Sequence, residues 1–291
     1  MIPAPFEYHR PASLAEATGL LTELGEDAHV LAGGHSLIPM MKLRMAAPAH
    51  LVDLQDIAEL KGIAREGGEI VIGAMTTQHE LIASDELAGA IPLIREAALQ
   101  IADPQVRYLG TIGGNVANGD PGNDMPGLMQ CLGATFELNG PNGQRSVAAR
   151  DFYQGAFTTS RNDDEILTRI RIPVPAAGHG HAYEKLKRKI GDYATAAAAV
   201  LLTVSGGRCD SASVAMTNLS DTPVFAAEAG AALAGSDLGA AAIDAAVAAA
   251  LAAIDPVADN RGPVAFKNHV AGVMLKRAIA RAAERTTERA A

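Results

Sequence analysis

The sequence predicts an α+β protein of two domains, and three features carry that prediction. Strand-like and helix-like segments are interrupted by two glycine pairs, in Ala32-Gly33-Gly34-His35-Ser36 and Thr111-Ile112-Gly113-Gly114-Asn115. A stretch rich in proline, alanine and glycine, residues 173–180, separates two regions of different composition. Beyond it, strands come first and alanine-rich helices follow.

In chain order, Ser13-Leu14-Ala15-Glu16 has the form of a capping box. Leu14, Ala17, Leu21 and Leu24 follow at helical spacing, and Gly25 closes the run. Residues 29–31 read as a short strand leading into the first glycine loop, and 51–54 and 69–73 as further strands. Thr77 with Glu80 is a second capping box, opening a short helix, and 92–100 is a helix stopped before Pro104. The second glycine pair reads as a loop, with Asp124 as N-cap of a helix over 125–132. Residues 134–138 and 145–149 flank a Gly- and Asn-rich hairpin turn, and 165–172 is a strand. In the second region 183–187, 200–205 and 209–216 read as strands, with Gly206-Gly207 as a tight turn. Residues 223–234, 238–253 and 263–285 are expected helices. The uncharged run 194–204 is either core or a surface for subunit contact.

The 291 residues suffice for one large or two ordinary domains, and 48% are apolar, so a core needs no metal or disulfide to hold it. A net charge of −9 argues against nucleic acid as a partner, since phosphate contacts dominate that affinity. The densest basic cluster, Lys185, Lys187, Arg188 and Lys189, is short. Cys131 and Cys209 are too few for an iron–sulfur cluster, which takes four ligands. Residues 1–10 lack the pattern of a signal peptide, and 194–207 is too short to span a bilayer. The chain reads as soluble and cytoplasmic.

Neither a G-x-G-x-x-G fingerprint nor a P-loop occurs. Consecutive glycines do permit φ > 0 and can present bare N–H groups, which bind phosphate oxygens without a lysine. Two such loops suggest a ligand with two phosphates, although a single Gly-Gly is most often just a turn. The second is denser: Gly113, Gly114, Gly119 and Gly122 interleave with Asn115, Asn118, Asp120, Asn123 and Asp124, a composition suited to ribose hydroxyls and pyrophosphate. His35 has no partners at metal spacing, so no metal role is expected; it is a ligand contact or a turn residue. His79, His179 and His181 read as surface or loop residues, and no acid–base constellation suggests a catalytic residue.

The segments Ala32-Gly33-Gly34-His35-Ser36-Leu37, Thr111 through Asp124, and 183–199 resemble the FAD-binding subunits of molybdenum hydroxylases, the xanthine dehydrogenase relatives. Within that family they are most similar to its aerobic carbon monoxide dehydrogenase branch. The likeness runs from Tyr8-His9-Arg10-Pro11 to residues 272–276. It implies a p-cresol methylhydroxylase-type FAD-binding domain over 1–177, with subdomains near 1–55 and 56–177, then a smaller α+β domain over 178–291. Ala32, Gly33, Gly34, His35, Ser36 and Leu37 would wrap the FAD pyrophosphate. Thr111, Ile112, Gly113, Gly114, Asn115 and Ala117 would form the opposing phosphate loop. Asp124 would lie near the ribityl or adenosine hydroxyls, Lys185 near the flavin and Tyr193 over its ring. Each has a plainer reading: a helix cap for Asp124, a solvated strand face for Lys185, a core-edge residue for Tyr193.

The resemblance further implies an electron-transfer role. Carbon monoxide and water would give carbon dioxide at the molybdenum of a large subunit. Iron–sulfur clusters of a small subunit would deliver the electrons to FAD, and a quinone or NAD would accept them. The molybdenum cofactor and clusters belong only to those partners, in a dimer of heterotrimers, cytoplasmic or at the inner face of the cytoplasmic membrane. The alternatives are the same role in a xanthine, aldehyde or nicotinate dehydrogenase, a non-redox nucleotide-binding scaffold, and a single-chain flavin oxidase.

Overall fold

The computed structural model describes residues 2–288. Strands β1 (Glu7–His9), β2 (Ala28–Leu31) and β3 (His50–Asp53) form a parallel sheet in the order β1-β3-β2. Parallel strands need crossovers. Helix Leu14–Leu24 lies between β1 and β2, and helix Leu37–Lys42 between β2 and β3. The first helix starts where its capping signal predicts, with Ser13 Oγ accepting from Glu16 N at 3.2 Å. Its return bond lands one residue early, because Glu16 accepts from Ala12 N at 2.8 Å. Ala17 and Leu21 pack on Val52, Leu54, Ile57 and Leu60 to make a small core.

Strands β4 (Ile63–Glu66), β5 (Glu69–Gly73), β6 (Thr135–Gly140) and β7 (Gly143–Ala148) belong to a second sheet. The short β8 (Tyr153–Gly155) and β9 (Thr158–Thr159) pair with each other, and β10 (Ile166–Pro173) returns to the centre of the second sheet. The order is β4-β5-β10-β6-β7, antiparallel throughout. Between β5 and β6 the chain folds into short helices, among them Gln78–Ala83, Pro92–Ala98, Ile112–Ala117 and Asp124–Cys131. Leu93, Ile94, Met125 and Leu128 from these share a core with Ile70, Ile72, Phe136 and Ile170 from the sheet.

The third sheet is β11 (Gly180–Leu186), β12 (Ala196–Ser205), β13 (Arg208–Thr217) and β14 (Val224–Phe225), in that order and antiparallel. Strand alternation sorts the alanines of β12. Ala196, Ala198, Val200 and Leu202 join the core made with helices Ala240–Ala253 and Val264–Glu288. Ala197 and Ala199 join the core under the helices that follow β5. Residues 194–200 and Leu202 are buried between these two cores, so most of the run is interior rather than contact surface; Leu201, Thr203 and Val204 at its end are half-buried.

Two sequence expectations are corrected here. The helix expected from 223 begins at Ala227, because Val224 and Phe225 pair with Met216 and Ala215 instead; edge pairing leaves no local signature. His179 lies in the loop before β11 as expected but is buried, and His181 is a buried strand residue rather than a surface or loop one; Arg285 of the last helix donates to its carbonyl. Among the described residues no helix is long and apolar enough to cross a membrane.

Candidate cofactor-binding site

A cleft of about 770 Å³ opens between the first sheet, the helices after β5 and the β11–β12 connection. That is within the range of roughly 300–1,000 Å³ usual for ligand sites. Ala32, Gly33, Gly34, His35, Ser36, Leu37, Thr111, Gly113, Gly114, Asn115, Ala117, Asp124, Lys185 and Tyr193 all line it. Of the predicted residues only Ile112 does not; it is fully buried in the core behind the cleft.

The first glycine segment leaves β2 at its carboxyl end, the side on which open parallel sheets bind ligands. Gly34 has φ 76°, a left-handed turn, and the next residues start helix Leu37–Lys42. Among the described residues, the N–H groups of Gly33, Gly34, His35 and Ser36 donate to no protein acceptor. Successive free donors on a turn of this kind form an anion-binding concavity. Gly33 has a different task, since its φ is not positive. A Cβ there would lie 2.3 Å from the Leu109 carbonyl oxygen, so only glycine lets this loop rest against the chain entering the second segment.

That second segment departs from expectation. It is a helix, Ile112–Ala117, capped by the Thr111 hydroxyl on Gly114 N at 3.0 Å. Ile112 N donates to Thr76 O (2.9 Å), Gly113 N to Ala74 O (2.8 Å) and Asn115 N to Thr111 O (3.1 Å). The bare N–H groups foreseen here are therefore already used in joining the helix to the end of β5. Its glycines do not have positive φ; a Cβ on Gly113 would meet Ala74 at 2.5 Å. Much of the polar composition is likewise structural. Asn115 Oδ1 accepts from Met125 N (3.3 Å), Asn123 Nδ2 donates to Asn115 O (2.9 Å), and Asp120 Oδ1 accepts from Gly122 N (2.8 Å). Asn118 lines the cleft; its backbone N–H donates to Gly114 O at 3.2 Å, while its side-chain amide makes no hydrogen bond to the described residues.

Asp124 is the first helical residue and Asn123 holds the cap position, so the predicted N-cap is displaced by one. The Asp124 carboxylate instead accepts from the Tyr183 hydroxyl at 2.5 Å and faces Lys185 Nζ at 2.8 Å. The Lys185 side chain is 1% exposed and that of Asp124 6%, which rules out a solvated strand face. Burial, with the Asp124 charge added, pushes the Tyr183 hydroxyl well above its ordinary pKa, so it stays a donor. Tyr183 was legible only as a strand residue. Lys187 lies behind this group, 3.2 Å from Gln100 O, and burial and then the Lys185 charge lower its pKa.

At the other end, Ile101-Ala102 approaches Gly191-Asp192-Tyr193 across the cleft mouth. Ala102 has φ 44°, a strained conformation for a residue with a Cβ. Arg107 Nη1 holds it by donating to Ile101 O (2.8 Å) and Ala102 O (3.3 Å). Tyr193 is 42% exposed, and its hydroxyl is pushed up to about 12 by burial and then by the Asp120 carboxylate. The Arg261 guanidinium lies 5.7 Å from the ring centroid and 3.1 Å from Asp192. Ile101, Ala102, Phe157 and Arg161 also line the cleft, on segments without a motif, as does Gln78, whose segment showed only a helix-capping signal. A left-handed alanine has no sequence signal, and sequence reasoning missed all five.

Comparison with known proteins adds the family. Residues 4–175 match the FAD binding domain in molybdopterin dehydrogenase, and 181–282 the CO dehydrogenase flavoprotein C-terminal domain. The chain is 64% identical to the carbon monoxide dehydrogenase medium chain of Afipia carboxidovorans, over 98% of this chain and 99% of that one. It is 49% identical to the corresponding chain of Hydrogenophaga pseudoflava, over 96% and 97%. A solved structure of reconstituted CO dehydrogenase from Oligotropha carboxidovorans superposes with TM-score 0.97 at 64% identity, covering 98% of this chain and all of that one. The cleft suits FAD, the cofactor of the family: free donors on the first loop match phosphate oxygens, and the lining takes in both glycine segments together with Asp124, Lys185 and Tyr193. The chain belongs to the FAD-binding flavoprotein subunits of the molybdenum hydroxylases.

Proposed function

We propose that this chain is the flavin-carrying electron-transfer subunit of a carbon monoxide dehydrogenase. In that reading carbon monoxide and water give carbon dioxide, two protons and two electrons at the molybdenum of a large partner subunit. The observation that carries the reading is the 64% identity to a carbon monoxide dehydrogenase medium chain over nearly the whole of both chains. The cysteines agree with it, since Cys131 and Cys209 are both buried and cannot hold a cluster. A small iron–sulfur subunit supplies the clusters, a quinone or NAD accepts the electrons, and the assembly is a cytoplasmic dimer of heterotrimers.

Bound FAD supplies the redox chemistry that these side chains lack. Gly33 through Ser36 hold its phosphates through backbone N–H groups, with Ala32 and Leu37 flanking. Thr111, Gly113, Gly114, Asn115 and Ala117 form the opposite wall, with Ile112 anchoring them from the core. Asp124 and Lys185 set a charge-balanced polar wall, and Tyr193 with Ile101-Ala102 limits water at the mouth. The FAD-binding domain is assigned to 1–177 and the C-terminal domain to 178–291, close to the limits of the two family matches.

Reconstitution from purified subunits tests this reading. The chain alone should not oxidise carbon monoxide, and turnover with an external acceptor should appear only with both partners present. Flavin released from the active complex should be FAD. Turnover by the lone chain would overturn the reading.

A further inference from the structure

The N-terminal strand carries a cluster that the flavin site does not use. β1 runs parallel to β3, with Glu7 opposite His50 and His9 opposite Val52. Glu7 and His9 are two residues apart, so strand alternation puts them on one face of the sheet, and His50, opposite Glu7, joins them there. The intervening Tyr8 points the other way and donates to Asp53 Oδ2 at 2.6 Å. On the cluster face His9 Nε2 lies 3.1 Å from His50 Nδ1, and His50 Nδ1 lies 3.6 Å from Glu7 Oε2. One ligand atom from each of the three residues falls within 4.8 Å of the others.

Two imidazole nitrogens each about 2.0–2.1 Å from a tetrahedral zinc ion stand roughly 3.3 Å apart. The observed nitrogen separation of 3.1 Å is close to that, and a small turn of the exposed Glu7 side chain completes a third ligand. Without metal the two rings share one N–H···N hydrogen bond; when a metal ion binds both nitrogens, the donor ring carries its proton on its other ring nitrogen instead. Two imidazoles and a carboxylate favour zinc, cobalt, nickel or copper over magnesium or calcium. Glu7 is 75% exposed, which leaves water free to take the fourth position.

We propose that Glu7, His9 and His50 form a surface site for a divalent transition metal that pins the N-terminal strand to β3. β1 is three residues long and, among the described residues, pairs with β3 alone, so a bound ion would add a cross-link to a short edge strand. A ligand that binds only the folded state stabilises it in proportion to its occupancy.

The test uses the full chain freed of metal with a chelator. Cobalt chloride should produce visible ligand-field bands that saturate at one equivalent and are displaced by zinc chloride. Zinc should also raise the melting temperature. His50→Ala should abolish both effects. Glu7→Gln, at an exposed position that leaves the fold intact, should weaken cobalt binding about tenfold or more, in line with the loss expected on disturbing a ligand set. Absence of a saturable cobalt band in the unaltered chain would overturn the proposal. So would an equal response in the unaltered chain and both variants, which would put the metal on other histidines.

Discussion

The Asp124–Lys185 pair makes a quantitative prediction. Both side chains are nearly inaccessible, and the ions are 2.8 Å apart. Removing one partner of a buried pair leaves an uncompensated charge and costs about 3–5 kcal/mol. Lys185→Met leaves the Asp124 carboxylate with the Tyr183 hydroxyl as its remaining side-chain donor. Asp124→Asn leaves the Lys185 ammonium facing Gln100 O at 3.4 Å. Each single variant should therefore lose stability in that range. The double variant, with neither charge, should lose no more than either single one, giving a coupling energy of at least about 3 kcal/mol. Urea unfolding of the full chain followed by circular dichroism gives the three differences, provided the denaturant slopes agree. Losses that add to within about 0.5 kcal/mol would refute the reasoning, because they are the mark of independent sites.

Gly33→Ala should lower both the melting temperature and the flavin content of the assembled complex, by about 1–3 kcal/mol or more in stability, since its Cβ meets backbone at 2.3 Å. Gly34→Ala should be milder, about 1–2 kcal/mol for its left-handed turn, since its nearest contact is the movable end of Ile38; the reverse order would contradict the packing argument. Tyr193→Ala should shift the flavin absorption bands or reduction potential of the complex with little change in melting temperature, and an unchanged spectrum and potential would make Tyr193 a packing residue. Glu165, bonded by Arg145 at 2.6 and 2.7 Å, has its carboxyl held below the ordinary value chiefly by that arginine. Its contribution, roughly 1.5–3 kcal/mol, is full above the unfolded-state pKa of about 4.3 and disappears as pH falls through the depressed folded value. The stability difference between the unaltered chain and Glu165→Gln should therefore narrow as pH falls below about 4.3, and a difference that does not narrow with acid would contradict the assignment.

What could be read from the sequence was what local chemistry encodes. The capping signals at Ser13 and Thr77 mark real helix starts, and 69–73 is strand β5. The glycine pairs do flank one cleft. What the glycines do was less legible. A close backbone approach, as at Gly33 and Gly113, and a positive φ, as at Gly34, look alike in sequence but need the partner segment to be told apart. The asparagines and aspartates of 115–124 suggested ligand contacts, yet Asn115, Asp120 and Asn123 satisfy nearby backbone. Tyr183 gains its role from a helix residue 59 positions away and His50 from a neighbouring strand 41 positions away, and no single segment specifies either contact.

The most direct test of the central claim is anaerobic addition of carbon monoxide to the assembled complex, with and without flavin on this chain. With flavin present, the iron–sulfur absorption and then the flavin absorption should bleach, and turnover with an external acceptor should follow. With the flavin removed, carbon monoxide should still bleach the clusters while acceptor turnover is lost. Undiminished acceptor turnover in the flavin-free complex would contradict the account.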